Sequence, residues 1–237
     1  MVGLATFKQY KIAEIVELSP DTRAFRLRAV GQGIKQFVPG QFVFLHILDG
    51  AGNSLVRRPL SIASCPGAGD LEFCVKMIGG KLTGRLEGMN VGDTMGVEEP
   101  AGHLTYSGQA KAGFIAGGTG VAPIMSMLRH IAERKMEGQF VFFYSVKTGA
   151  DILYKMELEE LQRANPNIKV VVTLTQDNNG WKGEKGRVST DMISRHLPNA
   201  GEFSWWICGP LEMIKSMRQS LESLGADPKS MKMEGWG

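Results

Sequence analysis

The chain has 237 residues, too long for one minimal module and suited to two domains of roughly 110–120 residues each. Hydrophobic residues make up 43% and charged residues 22%, a globular balance, and no apolar run reaches the roughly 18 residues of a membrane-spanning helix. The formal charge of +3 is spread evenly, leaving no basic stripe for nucleic acid.

The N-terminus, MVGLATFKQYKIAEIVEL, is charged and alternating and lacks the apolar core of a signal peptide, so the expected location is the cytoplasm. The first hundred residues read as β structure. In TRAFRLRA, Phe25, Leu27 and Ala29 alternate with Arg26 and Arg28, the period of a half-buried strand. Short apolar runs follow at 41–48, 60–64 and 71–77, with a further strand in DTMGVEEP. Turn clusters such as VPGQ, DGAGN and PGAGD separate them. This pattern predicts an antiparallel β-barrel over residues 1–108. VRRPLSIAS places Arg57 and Arg58 just before a proline-locked strand. In MIGGKLTGRL, Gly79 and Gly80 turn the chain and Thr83 is placed to cap a short helix.

The period changes near Ser107–Lys111. GFIAGG (113–118) reads as a buried strand, followed by a helix with Ile124, Leu128 and Ile131 on one face. FVFFYSV (140–146), a helix with Tyr154, Leu158 and Leu161 in step, and IKVVVTLT (168–175) come next. FSWWICG (203–209) leads into a helix carrying Ile214, Met217, Leu221 and Leu224. Apolar runs alternating with amphipathic helices predict an α/β domain over 109–237, a parallel sheet with helices on both faces and ligands at the carboxyl ends of its strands.

Glycine is the composition entry to follow, at 30 residues, and it clusters at strand ends. In IAGGTGVAP, Gly117, Gly118 and Gly120 close a strand, and the next helix starts near Ala122 or Pro123. Its free amides can hold a pyrophosphate, although a tight turn without ligand accounts for this motif equally well. CGP repeats the device with Gly209 and Pro210, and it puts Cys208 at the mouth of the crevice between the two turns. A small buried hydrophobe is the plain alternative for Cys208, which has no base beside it. Arg58 is either a solvated charge or, with Ser61 three residues later, a grip on a diphosphate and a donor to a ring nitrogen. Cys65, Cys74 and Cys208 show no CxxC spacing and no partner histidine. That excludes a disulfide framework, a zinc site and a four-cysteine iron–sulfur cluster from this chain alone, and no metal is expected.

The order R-P-L-S, GG-x-x-T, GGTG-x-AP and CGP, over essentially the whole chain, resembles the ferredoxin–NADP reductase superfamily of flavoproteins. The RPLSIAS segment looks most like its flavin reductase and oxygenase-reductase branches. The resemblance implies a flavin-binding barrel and a nicotinamide-nucleotide-binding α/β domain, with FAD and NAD(P)H as cofactors. It implies that Arg58 pairs with the flavin phosphate and that Ser61 sits near flavin N5. After Pro59, Leu60 stands where an aromatic residue usually stacks on the ring. Backbone at Val75, Lys76 and Met77 then lines the flavin, and Gly80, Lys81, Leu82 and Thr83 receive its pyrophosphate. Gly118, Thr119 and Gly120, leading to Pro123, match the nucleotide loop, with Thr119 beside the nicotinamide. Cys208, Gly209 and Pro210 match its second wall. Glu234-Gly235-Trp236 resembles the family's tail that folds back over the flavin, with Gly237 as one extra residue. Ser61, Cys208 and Glu234 are thus the expected catalytic positions.

Ser145 and Lys147, at the end of FVFFYSV, are the expected neighbours of the nucleotide ribose. Lys147 either meets a 2′-phosphate or is a plain surface lysine, and WKGEKGRV (181–188) looks like the NADH-using branches, so NADH or dual use is expected. The resulting expectation is an FAD-dependent oxidoreductase exchanging hydride with NAD(P)H, with electrons passing to or from a separate ferredoxin, flavodoxin or oxygenase component. The alternatives are a reductase using free flavin as substrate and a non-catalytic nucleotide-binding subunit of a larger redox complex. Hydride transfer itself needs no acid–base pair, so the scattered histidines at 46, 103, 130 and 196 are no objection.

Overall fold

Alternation decides the first half. The computed structural model describes residues 7–176 and 179–236. β1 (Lys8–Ser19), β2 (Thr22–Ala29), β3 (Phe42–Leu48), β4 (Ser54–Ser61), β5 (Leu71–Lys76) and β6 (Thr94–Val97) form one antiparallel sheet in the order β4-β3-β6-β1-β2-β5. Phe25 and Leu27 of β2 enter its core, while Arg26 and Arg28 point out and pair with Glu72 and Asp70. Two bulges bend β1, which pairs with both β2 and β6. Past β4, Ile62 bridges to Phe73 and the Ala63 amide donates to the Glu72 carbonyl at 2.8 Å, so the sheet closes on itself around Val43, Leu45, Phe73 and Val97.

Two local expectations need correction. Arg57 and Arg58 do not precede a strand but lie inside β4, with Pro59 opposite Phe44. β4 stands at the end of the sheet with β3 as its only full-length partner, where a residue without a ladder N–H is tolerated. Thr83 does not cap α1 (Thr83–Leu86); it is the first helical residue, and its Oγ1 accepts the Gly80 amide at 2.8 Å. Gly79, at φ +66°, supplies the left-handed turn before it.

The second sheet is parallel throughout. β7 (Lys111–Gly117), α2 (Val121–Glu133), β8 (Gln139–Val146), α3 (Lys155–Ala164), β9 (Ile168–Leu174), β10 (Glu184–Lys185), α4 (Thr190–His196), β11 (Ser204–Pro210), α5 (Leu211–Ser223) and β12 (Met231–Trp236) follow in the chain. The strand order is β10-β9-β8-β7-β11-β12, with α2 and α3 packed on one face and α4 and α5 on the other. A short 3₁₀ turn, Gly118–Gly120, precedes α2, which starts at Val121, one residue ahead of the expected position. Because the chain leaves β7 toward β8 and returns to its other side as β11, the order reverses between β7 and β11. A crevice therefore opens beyond their carboxyl ends. Among the described residues no helix is long and apolar enough to cross a membrane.

Candidate functional site

Adjacent arginines on β4 have opposite fates. Arg57 is committed: its Nε and Nη2 donate to Glu98 at 2.5 and 2.9 Å, and its guanidinium lies 3.4 Å from the centroid of the Phe44 ring. Arg57, with His46 2.7 Å away, holds the Glu98 carboxyl below its ordinary range. Arg58 is exposed, forms no salt bridge among the described residues, and donates only to the Arg57 carbonyl at 2.8 Å. Its guanidinium is left without a carboxylate partner among the described residues. Pro59 is exposed beside it, and Leu60 turns half-buried toward the barrel core.

At the end of β5, Val75 is buried and the Met77 amide is spent on the Asp21 carbonyl at 2.7 Å. The Lys76 ammonium pairs with Asp21 at 2.9 Å. Met77 therefore has no free N–H for a ligand and would line one through its other atoms. Gly80 likewise gives its amide to Thr83, whereas the amides of Lys81, Leu82 and Thr83 have no protein acceptor among the described residues. The three open amides, like the unpaired arginine of β4, are donors of the kind that suits phosphate.

On the other domain, a cavity of about 440 Å³ occupies the strand-order reversal. Gly117, Gly118 and Thr119 line it with Pro210, Met213, Ser145 and Lys147; Asp21 and Lys76 reach it from the barrel. Gly118, at φ +52° with open space where a Cβ would stand, takes a conformation that other residues rarely adopt. Tyr144 pins the loop by donating its hydroxyl to the Gly118 carbonyl at 3.1 Å. At Gly120 a Cβ would fall 2.2 Å from the Cys208 carbonyl oxygen and 2.9 Å from the Trp236 ring. Glycine is what lets the two turns meet.

Cys208 requires a second correction. It lies within β11, fully buried, opposite Ala116 on one side and Glu234 on the other, not at the mouth of the crevice. Burial, with the Glu234 carboxylate adding to it, pushes its thiol well above the ordinary value. The neighbouring Gly209 is buried and Pro210 is exposed at the cavity.

The C-terminal residues 231–236 form a parallel edge strand on β11, and this brings the halves together. Ser61 Oγ donates to Glu234 Oε1 at 3.2 Å. Burial raises the Glu234 carboxyl above its usual range, and the Ser61 bond only partly offsets this. Trp236, 43% exposed, lines the cavity at Gly120. Gly237 lies outside the described residues.

Sequence reasoning missed Arg187. It stands exposed just after Gly186, and lines the cavity with Ser145 and Lys147. The missed signal was the glycine–arginine step in WKGEKGRV, a sharp turn aiming a cation. Asp151 also lines the cavity, but its Oδ2 is occupied by the Thr148 amide and hydroxyl, at 2.9 and 2.8 Å.

Both halves of the chain match known families. Residues 9–106 match the family model of the oxidoreductase FAD-binding domain, and residues 114–219 that of the oxidoreductase NAD-binding domain. The chain is 30% identical to NADH-cytochrome b5 reductase 1 of Bos taurus, over 93% of this chain and 83% of that protein. It is 32% identical to the propane 2-monooxygenase reductase component of Rhodococcus jostii, over 91% of this chain and 60% of that protein. Among solved structures, the FAD/NAD-binding domain of a nitric oxide dioxygenase from Vibrio cholerae superposes with a TM-score of 0.88 at 18% identity, covering 98% of this chain and 99% of that one. The chain belongs to the ferredoxin–NADP reductase superfamily: it is a flavoprotein oxidoreductase that binds FAD and a nicotinamide nucleotide.

Proposed function

We propose that this protein reduces its bound FAD with NAD(P)H and passes the electrons to a separate acceptor. The observation that carries the reading is the Ser61–Glu234 contact. It joins the β4 strand that carries the unpaired Arg58 to the tail strand that borders the nucleotide cavity. In this reading residues 1–108 hold the flavin and 109–237 the nicotinamide nucleotide.

FAD, when bound, supplies a ring that takes a hydride and releases electrons singly or in pairs. The chain supplies the rest. Arg58 and the amides of Lys81, Leu82 and Thr83 hold phosphate. Ser61 would hydrogen-bond the flavin, Thr119 would limit where the nicotinamide rests, and the glycine turns would let both approach. Glu234, its carboxyl raised by burial, accepts from Ser61 and is placed to orient the nicotinamide or relay a proton. Cys208 acts through its carbonyl and its bulk under the loop, since its thiol is buried.

The acceptor is an electron-carrier protein or an oxygenase component. Two relatives named above, a cytochrome b5 reductase and a monooxygenase reductase component, support that class, and ferredoxin or flavodoxin fits the same chemistry. A second reading, a reductase that uses free flavin as substrate, is favoured by Leu60 in the place of a stacking aromatic. Purification without added flavin separates the two: a yellow protein with one FAD per chain supports the first, and a colourless one that turns over free flavin supports the second.

A further inference from the structure

α2 grips the flavin-binding half with one face. Ser126, Arg129 and Glu133, at helical spacings of three and four, meet the segment 63–65 that follows β4. Ser126 Oγ donates to the Ser64 carbonyl at 2.8 Å, Arg129 Nη1 to the Ala63 carbonyl at 2.7 Å, and the Cys65 thiol to Glu133 at 2.7 Å.

Arg129 is the centre of this grip. Its Nε and Nη2 fork onto Glu157 of α3 at 2.6 and 2.7 Å, and Nη1 also donates to Glu72 of β5 at 2.9 Å. Glu72 is almost wholly buried and takes Arg26 on its other oxygen at 2.8 Å. Burial pushes the Glu72 carboxyl up, but Arg129 and Arg26 outweigh it and leave it below the ordinary value, so both partners are charged at neutral pH. The Tyr154 ring covers the guanidinium, 5.2 Å from its carbon. Tyr154 sits in a left-handed conformation at φ +56°, with its hydroxyl buried beside Glu72 and Cys74. Backbone strain is thus retained at the residue that shields the clamp.

We propose that Arg129 is a positioning residue for hydride transfer, fixing the nucleotide loop at the head of α2 against Ser61 and the end of β5. The proposal rests on the function given above. Its reason is leverage. α2 starts directly after Gly118–Gly120, segment 63–65 starts two residues after Ser61, and Glu72 lies on the strand that ends at Lys76. A shift at the clamp therefore moves both walls between which the reacting rings must meet. Buried ion pairs are poor sources of stability but strict in geometry, and near-contact reaction distances respond steeply to such geometry.

The test uses the FAD-loaded protein and its Arg129→Gln, Arg129→Lys and Glu72→Gln variants. FAD content, NAD(P)+ affinity, the limiting rate of anaerobic flavin reduction and the long-wavelength flavin–nicotinamide charge-transfer absorbance are measured for each. Expected are affinities within about threefold of wild type, a limiting rate lower by about tenfold or more, and loss of the charge-transfer band, with Arg129→Lys intermediate. The double variant Arg129→Gln/Glu72→Gln should be no slower than the worse single variant, because both break one unit. Should Arg129 variants fail to fold, Glu157→Gln, which loosens the outer fork, carries the same expectation at about threefold. Variants that keep FAD and reduce it within about twofold of the wild-type rate overturn the positioning role and leave the function intact. A wild-type protein that neither nucleotide reduces overturns both.

Discussion

Ser61, the last residue of β4, donates a 3.2 Å hydrogen bond to Glu234, 173 residues further along the chain on β12. A carboxyl raised by burial is a group whose proton the folded state holds more tightly than the unfolded chain does. Its stabilising contribution is therefore present below the unfolded value, about pH 4.3, and is lost as pH rises through the folded value. Glu234→Gln should melt progressively higher than wild type as pH is raised from about 4 to 8, because the amide stays neutral. Ser61→Ala removes the one bond that favours the carboxylate and should widen that gap. Parallel melting curves across the range would contradict a raised Glu234.

Arg58 and Arg57 separate ligand binding from structure. Arg58→Ala should lose flavin affinity by about 1.5–3 kcal/mol, roughly 10- to 150-fold, while the apoprotein melts as before. Arg57→Ala leaves Glu98 with His46 alone and strips Phe44 of its cover, so it should lower the melting temperature and leave flavin affinity nearly unchanged. Flavin titration with thermal melts of both variants decides this, and reversed outcomes would move the phosphate contact to Arg57.

Gly120→Ala tests the close approach of the two strand-end turns. An added methyl would meet backbone at the Cys208 carbonyl, which cannot swing aside as a side chain can. A loss of about 1–3 kcal/mol in denaturant unfolding is expected, together with weakened nucleotide binding. Wild-type stability would mean that the turns are looser than they stand.

Nucleotide preference should turn on Arg187 and Lys147, which line the cavity. The expectation is NADH or dual use, with the NADPH activity depending on these cations. Arg187→Ala should lower kcat/KM for NADPH by about tenfold and for NADH by less than about twofold. Equal losses with both nucleotides would place Arg187 on a phosphate the two share.

The barrel, the parallel sheet and the two glycine turns were legible because their signals are local: period two, period 3.6, and glycine where strands end. Pro59 misled the reading of β4, since an edge strand tolerates a proline that a central one does not. Thr83 and Cys208 were misplaced for a related reason, since whether a hydroxyl caps forward or backward, and whether a strand-end thiol is covered, depends on neighbours far along the chain. The grip of α2 on segment 63–65 left no sequence signal at all. Ser126, Arg129 and Glu133 read only as polar positions on an amphipathic helix, and their partners come from the other domain.

Anaerobic mixing of the FAD-loaded protein with NADH, followed at the flavin absorbance maximum, tests the central claim most directly. The account predicts bleaching of the protein-bound flavin in a single turnover, and reoxidation when an electron-carrier acceptor is added. A protein that binds FAD and nicotinamide nucleotide together yet leaves the flavin oxidised with both NADH and NADPH would contradict it.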